Sequence, residues 1–319
     1  MIKIPLNNEK RQFIEKKYWE IIEKRTKIIK NFETRQDDIK ECNPKLEEFL
    51  YNNNKFCKER LKSIVLANKE AMLNYIEKFN IKSDSKSFEK NKKLIQSFFD
   101  YSRITRRNEF YDILNEINVS VCPYCNRQYT FTVKRNHTKI KPSLDHYYPK
   151  SIYPFLAISI WNLIPCCSSC NLAKSNKDTV DNPILYPYEE EFGEKINFDI
   201  QCSKESDFVK FIYGLEDSFE VIIDKNNLSL AQRNHIDFLH LIELYNGHKS
   251  YIQNIIKKNY INSEDYINTL YKCYPQLFNT IDDVKNLIYA TTVEKENWVH
   301  YPLSKLTRDI LATFDEEKN

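Results

Sequence analysis

Three short stretches decide how this chain reads. They are Val121-Cys122-Pro123-Tyr124-Cys125, then Leu144-Asp145-His146-Tyr147-Tyr148-Pro149, then Trp161-Asn162-Leu163-Ile164-Pro165-Cys166-Cys167-Ser168-Ser169-Cys170-Asn171-Leu172-Ala173-Lys174. They contain two CxxC pairs, Cys122/Cys125 and Cys167/Cys170, with 41 residues between them. A CxxC turn lets two thiolates reach one ion, and zinc takes four ligands in a tetrahedron. Chance rarely gives that spacing twice, so the four cysteines are expected to hold a structural Zn²⁺. Cys166 is separated from Cys170 by three residues rather than two and is assigned to packing. Cys42, Cys57, Cys202 and Cys273 stand alone in apolar contexts and read as core residues. The total of nine cysteines is odd, and the opening MIKIPLNNEK carries no apolar signal-peptide core. Both fit a reducing, cytoplasmic setting, in which paired CxxC turns bind metal rather than form disulfides.

Asp145-His146 is the second element of the pattern. A carboxylate is a hard ligand suited to Mg²⁺ or Mn²⁺. An imidazole beside it that is not itself a ligand can take a proton from water near neutral pH. On a strand, neighbouring side chains point to opposite faces, so one can serve the ion and the other the water. The dipeptide alone is weak evidence. Followed by Asn162, a CxxC and Asn171 at the start of an expected helix, it becomes specific.

With these positions filled, residues 119–180 resemble the HNH (ββα-metal) endonuclease family in its zinc-stapled form. The resemblance implies that Asp145 is a ligand of the catalytic divalent ion and His146 the general base. It implies that Asn162 ties down the loop and orients the base, and that Asn171, in place of the final histidine, is the second ligand. The implied reaction is metal-assisted hydrolysis of a phosphodiester in nucleic acid, DNA or RNA. Lys174, one turn beyond Asn171, is expected to contact phosphate. Arg106, Arg107, Arg127 and Arg135, with Lys134, Lys139 and Lys141, would form a backbone track. His137 is expected near it, whereas His235, His240 and His248 fall in helical sequence and read as structural.

The remaining sequence sets limits on this picture. Of 319 residues only three are glycine, Gly193, Gly214 and Gly247, and they are scattered. Phosphate loops and dinucleotide turns need clustered glycines, so the chain has neither. The net charge of +3 divides into +7 over residues 1–120, +6 over 121–180 and −10 over 181–319. That pattern reads as a polyanion-facing front and a back that faces something else. Ser151 to Ala173 is 23 residues without a charge, long enough to span a bilayer. Its two prolines, its asparagines and its cysteines argue against that use, and no membrane role is expected.

The expected fold is α+β and mostly α-helical. A ββα-metal core at 119–180 is flanked by a helical region, 1–118, and by a small β segment with acidic helices, 181–319. Within 1–118, apolar periodicity predicts a helix from Asn8, one or two helices over 45–79, and a loop at Asp84–Ser87. Two shorter helices follow, the second opened by Asn108. Tyr129–Val133 reads as a strand. Ile196–Ile200, Phe208–Tyr213 and Phe219–Ile223 read as a small antiparallel sheet. Helices are predicted near 230–245, 248–260, 264–273, 281–290 and 303–314. The whole layout is similar, more loosely, to the HNH subunit of prokaryotic anti-phage systems of the Septu kind. That likeness implies an ABC-type ATPase partner. The alternatives are a zinc-stapled nucleic-acid-binding module, or a scaffold whose nuclease is silent until assembled.

Overall fold

The computed structural model describes residues 1–319 except 80–86, 137, 195, 203–209, 211–218 and 317–319. The chain divides into two units, one of Ile4–Val119 with Thr130–Tyr188 and one of Met1–Lys3, Ser120–Tyr129 and Glu189–Asn319. The described elements make an α+β protein, mostly helical, whose strands pair in two-stranded antiparallel sheets.

The first unit begins with helix α1 (Asn8–Arg25), whose N-cap Asn7 accepts a hydrogen bond from the Lys10 amide at 2.8 Å. There follow α2 (Ile28–Thr34), α3 (Gln36–Cys42), α4 (Pro44–Leu50), the hairpin β1 (Tyr51–Asn52) and β2 (Lys55–Phe56), α5 (Lys58–Val65) and α6 (Lys69–Phe79). The stretch 45–79, expected as one or two helices, is thus three, split first by the hairpin. Asn53 and Asn54 turn it at φ +48° and +59°, a left-handed conformation that asparagine tolerates and a helix interior does not. Helices α7 (Ser87–Phe98), α8 (Ser102–Thr105) and α9 (Asn108–Ile117) complete the helical half. Residues 84–86 of the expected loop lie outside the described residues. Helix α9 packs on α1; Phe110, Ile113 and Leu114 of α9 and Ile14, Tyr18 and Ile22 of α1 are buried, and the Tyr18 and Phe110 rings lie 6.2 Å apart.

The strands β3 (Val133–Arg135) and β4 (Thr138–Ile140) form a hairpin, and β5 (Ser143–His146) pairs with β6 (Leu163–Cys166) ahead of α10 (Ser168–Lys174). The strand expected at Tyr129–Val133 begins only at Val133. Tyr129 instead bridges to Val121. The uncharged run is the packed centre of this unit, where Phe155, Leu156, Ile158, Trp161 and Ile164 are all but inaccessible. Its irregular backbone needs partners because it is buried. Tyrosine hydroxyls provide some of them: Tyr18 donates to the Ile158 carbonyl at 2.8 Å, Tyr186 to that of Trp161 at 2.7 Å and Tyr188 to that of Leu163 at 2.9 Å. Among the described residues no helix is long and apolar enough to cross a membrane.

The second unit holds β7 (Asp199–Cys202) paired with β8 (Phe219–Ile222), then α11 (Leu230–Phe238), α12 (Leu241–Asn246), α13 (Lys249–Ile261), α14 (Glu264–Cys273), α15 (Ile281–Tyr289) and α16 (Ser304–Glu316). The region expected as one helix over 230–245 breaks at His240, whose φ is +51°. Of the expected middle strand, Phe208–Tyr213, all but Lys210 lies outside the described residues. Helix α16 carries an ion pair, Lys305 Nζ to Asp309 Oδ2 at 2.9 Å, with both side chains fully buried. Burial alone would drive the Lys305 ammonium down and the Asp309 carboxyl up, and each charge opposes that drift in the other. Removing one partner strands the other in a low dielectric. Lys305→Met is therefore expected to cost about 3–5 kcal/mol in urea unfolding, and Lys305→Met with Asp309→Leu to recover most of it. A single-variant loss below about 1 kcal/mol would mean that water reaches the pair.

Candidate functional site

The first CxxC sits in a tight turn. The Cys122 amide donates to the Gln128 carbonyl at 2.9 Å and the Asn126 amide to the Cys122 carbonyl at 2.8 Å, with Asn126 at φ +50°. Asn126 is fully buried, and its side-chain amide donates to the Trp298 carbonyl at 3.0 Å. The His235 ring contacts the Tyr124 carbonyl through Nε2 at 3.0 Å. The second CxxC opens α10, where Cys167 is the N-cap and its sulfur accepts from the Cys170 amide at 3.4 Å. The sulfurs of Cys122, Cys125, Cys167 and Cys170 are buried and all lie within 4.8 Å of one another. Zinc–sulfur bonds of about 2.3 Å in a tetrahedron put sulfurs about 3.8 Å apart, a separation inside that bound. This four-cysteine group can hold Zn²⁺. Cys166 is buried on β6, and burial pushes its thiol up, with Asp145 adding to the rise.

Asp145 and His146 end strand β5, opposite Ile164 and Leu163 of β6. The turn of chain between the strands is tied by Asn162. The Asn162 side chain accepts from the Tyr148 amide at 2.7 Å and donates to the carbonyls of Tyr148 at 3.0 Å and Leu156 at 3.1 Å. It is wholly inaccessible, so every one of these bonds is made away from water. Asn162→Ala leaves three backbone groups short and is expected to cost about 3 kcal/mol, read as a lowered denaturant midpoint with unchanged slope. A cost under about 0.5 kcal/mol would show that the loop holds itself.

Asp145, His146 and Asn171 line one cleft of about 590 Å³, together with Tyr101, Lys141, Lys150 and the exposed Leu172. The two faces expected of Asp145 and His146 thus open on the same space. His146 Nε2 lies 3.0 Å from the Ala157 carbonyl. A carbonyl only accepts, so Nε2 carries the hydrogen and Nδ1 keeps its lone pair. Burial pushes the imidazole down to about 3, and the Lys150 charge pushes the same way, against the Ala157 hydrogen bond. The ring is therefore neutral. The Tyr101 ring meets it edge-on at 5.0 Å, and the ammonium groups of Lys150 and Lys141 stand over Tyr101 at 5.1 and 5.9 Å.

Lys174, expected at phosphate, is instead fully buried. Its ammonium donates to Asp145 Oδ1 at 3.1 Å and to the His146 carbonyl at 2.7 Å. The reason is local: α10 is a single short helix whose last turn packs on β5, so its C-terminal lysine turns inward. Of the expected basic track, Arg106, Arg107, Arg135 and Lys139 are exposed, while Lys134 pairs with Asp112 at 2.7 Å. Arg127 directs Nη1 to His248 Nε2 at 3.1 Å and to the Leu244 carbonyl at 3.5 Å. His137 lies outside the described residues. Sequence reasoning passed over Tyr101 and Lys150. Tyr101 is 44 residues from Asp145 with no motif of its own, and Lys150 had only its place beside the uncharged run.

Over 106 residues the chain is 27% identical to the Septu protein PtuB of Bacillus thuringiensis, a match covering 33% of this chain and 39% of that protein. The chain thus matches about two-fifths of that relative's length. No protein-family model and no solved structure matches the chain.

Proposed function

We propose that the chain is an HNH-type endonuclease that hydrolyses phosphodiester bonds of nucleic acid, DNA first, using a divalent ion, with a separate zinc as a structural staple. The observation that carries this reading is the cleft in which Asp145, a neutral His146 and Asn171 converge on a β5–β6–α10 frame. The donor set fits the ion: a carboxylate and an amide oxygen are hard ligands, and they leave positions for water and phosphate. Mg²⁺ or Mn²⁺ held by Asp145 and Asn171 would supply charge stabilisation for the phosphorane and the leaving oxygen.

The chain's own residues do the rest. His146 Nδ1 accepts the proton of the attacking water. The Ala157 carbonyl holds the ring in the tautomer that makes this possible, and the Asn162 bonds fix the loop bearing that carbonyl. An arriving phosphate offsets the Lys150 charge and raises the imidazole toward a useful basicity. Lys150 and Lys141 attract the anion at the rim.

The likeness to a Septu protein supports a place in anti-phage defence and is compatible with an ABC-type ATPase partner; the acidic residues of 181–319, net −10, would be the surface facing it. A chain without a glycine phosphate loop would take its nucleotide switch from such a partner. Supercoiled plasmid incubated with the chain, its partner and Mg²⁺ or Mn²⁺ is expected to become nicked or linear. Plasmid and RNA both left intact would overturn the nuclease reading. In cells, a His146→Ala chain that still blocks phage would separate defence from cleavage.

A further inference from the structure

A buried lysine beside the carboxylate assigned to the divalent ion is an odd choice. Lys174 is fully inaccessible and Asp145 4% exposed, with Nζ 3.1 Å from both carboxylate oxygens. Taking these charges out of water is costly unless each is met by the other, so the pair is a fixed part of the fold. Its electrical consequence is local. Lys174 offsets Asp145 from the protein side, and among the described residues no other carboxylate lines the cleft. Lys141 and Lys150 line the same cleft. The space facing solvent is therefore cationic. It draws an anion and repels a free divalent cation.

Resting on the nuclease reading, we infer that Lys174 is a built-in counter-ion that makes this site take the phosphate first and the divalent ion second. A phosphate seated against Lys141 and Lys150 supplies the negative charge and the oxygen ligands that Asp145 and Asn171 alone do not. Binding of the two is then coupled, and by linkage each tightens the other by the same factor. Lys174 is a positioning residue here. It sets the aim and the effective charge of Asp145 without touching the reacting atoms.

The test measures Mn²⁺ binding by the spin-resonance signal of the free ion, on the full chain carrying His146→Ala so that DNA is not consumed. A 16-base-pair duplex is the probe. Without DNA, Mn²⁺ is expected to bind weakly. With saturating duplex its affinity should rise at least tenfold, and saturating Mn²⁺ should tighten duplex binding by that same factor. In EDTA at low salt the duplex should still bind, and Lys141→Ala with Lys150→Ala should weaken that binding at least tenfold. Adding Lys174→Met should raise the DNA-free Mn²⁺ affinity at least tenfold, and Asp145→Asn should abolish the gain. The first arm needs no Lys174 variant, so a Lys174→Met chain that fails to fold does not spare the inference. Mn²⁺ binding that is the same with and without duplex overturns it. Failure of the duplex to bind in any condition would instead remove the nucleic-acid reading beneath it.

Discussion

Replacing His146 with alanine is expected to slow plasmid nicking by about 10²–10⁴-fold at saturating Mg²⁺ or Mn²⁺, the usual contribution of a positioned general base. The fold should survive the change. The His146 ring hydrogen-bonds to the Ala157 carbonyl, and losing that bond costs about 1–2 kcal/mol. Duplex affinity should hardly move, because the ammonium groups that line the cleft, those of Lys141 and Lys150, are left in place. A loss in turnover without a loss in binding is therefore the signature. Asp145→Asn differs in kind. It would take the anionic ligand from the proposed ion and also leaves the buried Lys174 ammonium without its counter-charge, so it should lower both turnover and stability. If wild type and His146→Ala nick plasmid at the same rate, the base is elsewhere and the assignment of Nδ1 is wrong.

The parts that could be read from sequence are those whose spacing is local. Two residues between cysteines dictate a knuckle, whatever surrounds it, and the four sulfurs do come together. Asp145 and His146 are adjacent, and Asn171 follows Cys170, so a β5–β6 pair leading into α10 is enough to bring them to one cleft. What spacing could not give is which way a side chain turns when both sides are available. Lys174 sits one turn from Asn171, and periodicity alone puts it on a similar face. Only the packing of α10 on β5 decides that its ammonium goes inward to Asp145. Tyr101 is a case of another sort. It comes from the helical half, 44 residues earlier, and reaches His146 through tertiary folding, which no motif records. Over 45–79 there are three helices rather than one or two, because the run Asn52 to Asn54 turns a hairpin that apolar periodicity on either side does not mark.

Loss of zinc should be the most damaging change of all, and Cys166 provides the control that makes the result specific. Structural zinc sites contribute on the order of 10 kcal/mol to folding, more than most domains have to spare. The first knuckle shows why this chain would need it. Residues 121–129 form one isolated bridge and a turn rather than regular strands, so local hydrogen bonds alone do little to fix them. Clean protein is expected to carry about one zinc per chain. Cys167→Ser should abolish it and drop the melting temperature so far that little folded protein is recovered. Cys166→Ser, one residue away and just as buried, should keep the zinc and cost only the loss of a packed sulfur, about 1–2 kcal/mol. A chelator strong enough to strip the wild type should reproduce the Cys167 result, because binding energy here is folding energy. Two outcomes would defeat the four-sulfur site: zinc near zero in clean protein, or zinc lost as fully from Cys166→Ser as from Cys167→Ser. The second would move the ligand one residue back and leave the CxxC spacing a coincidence.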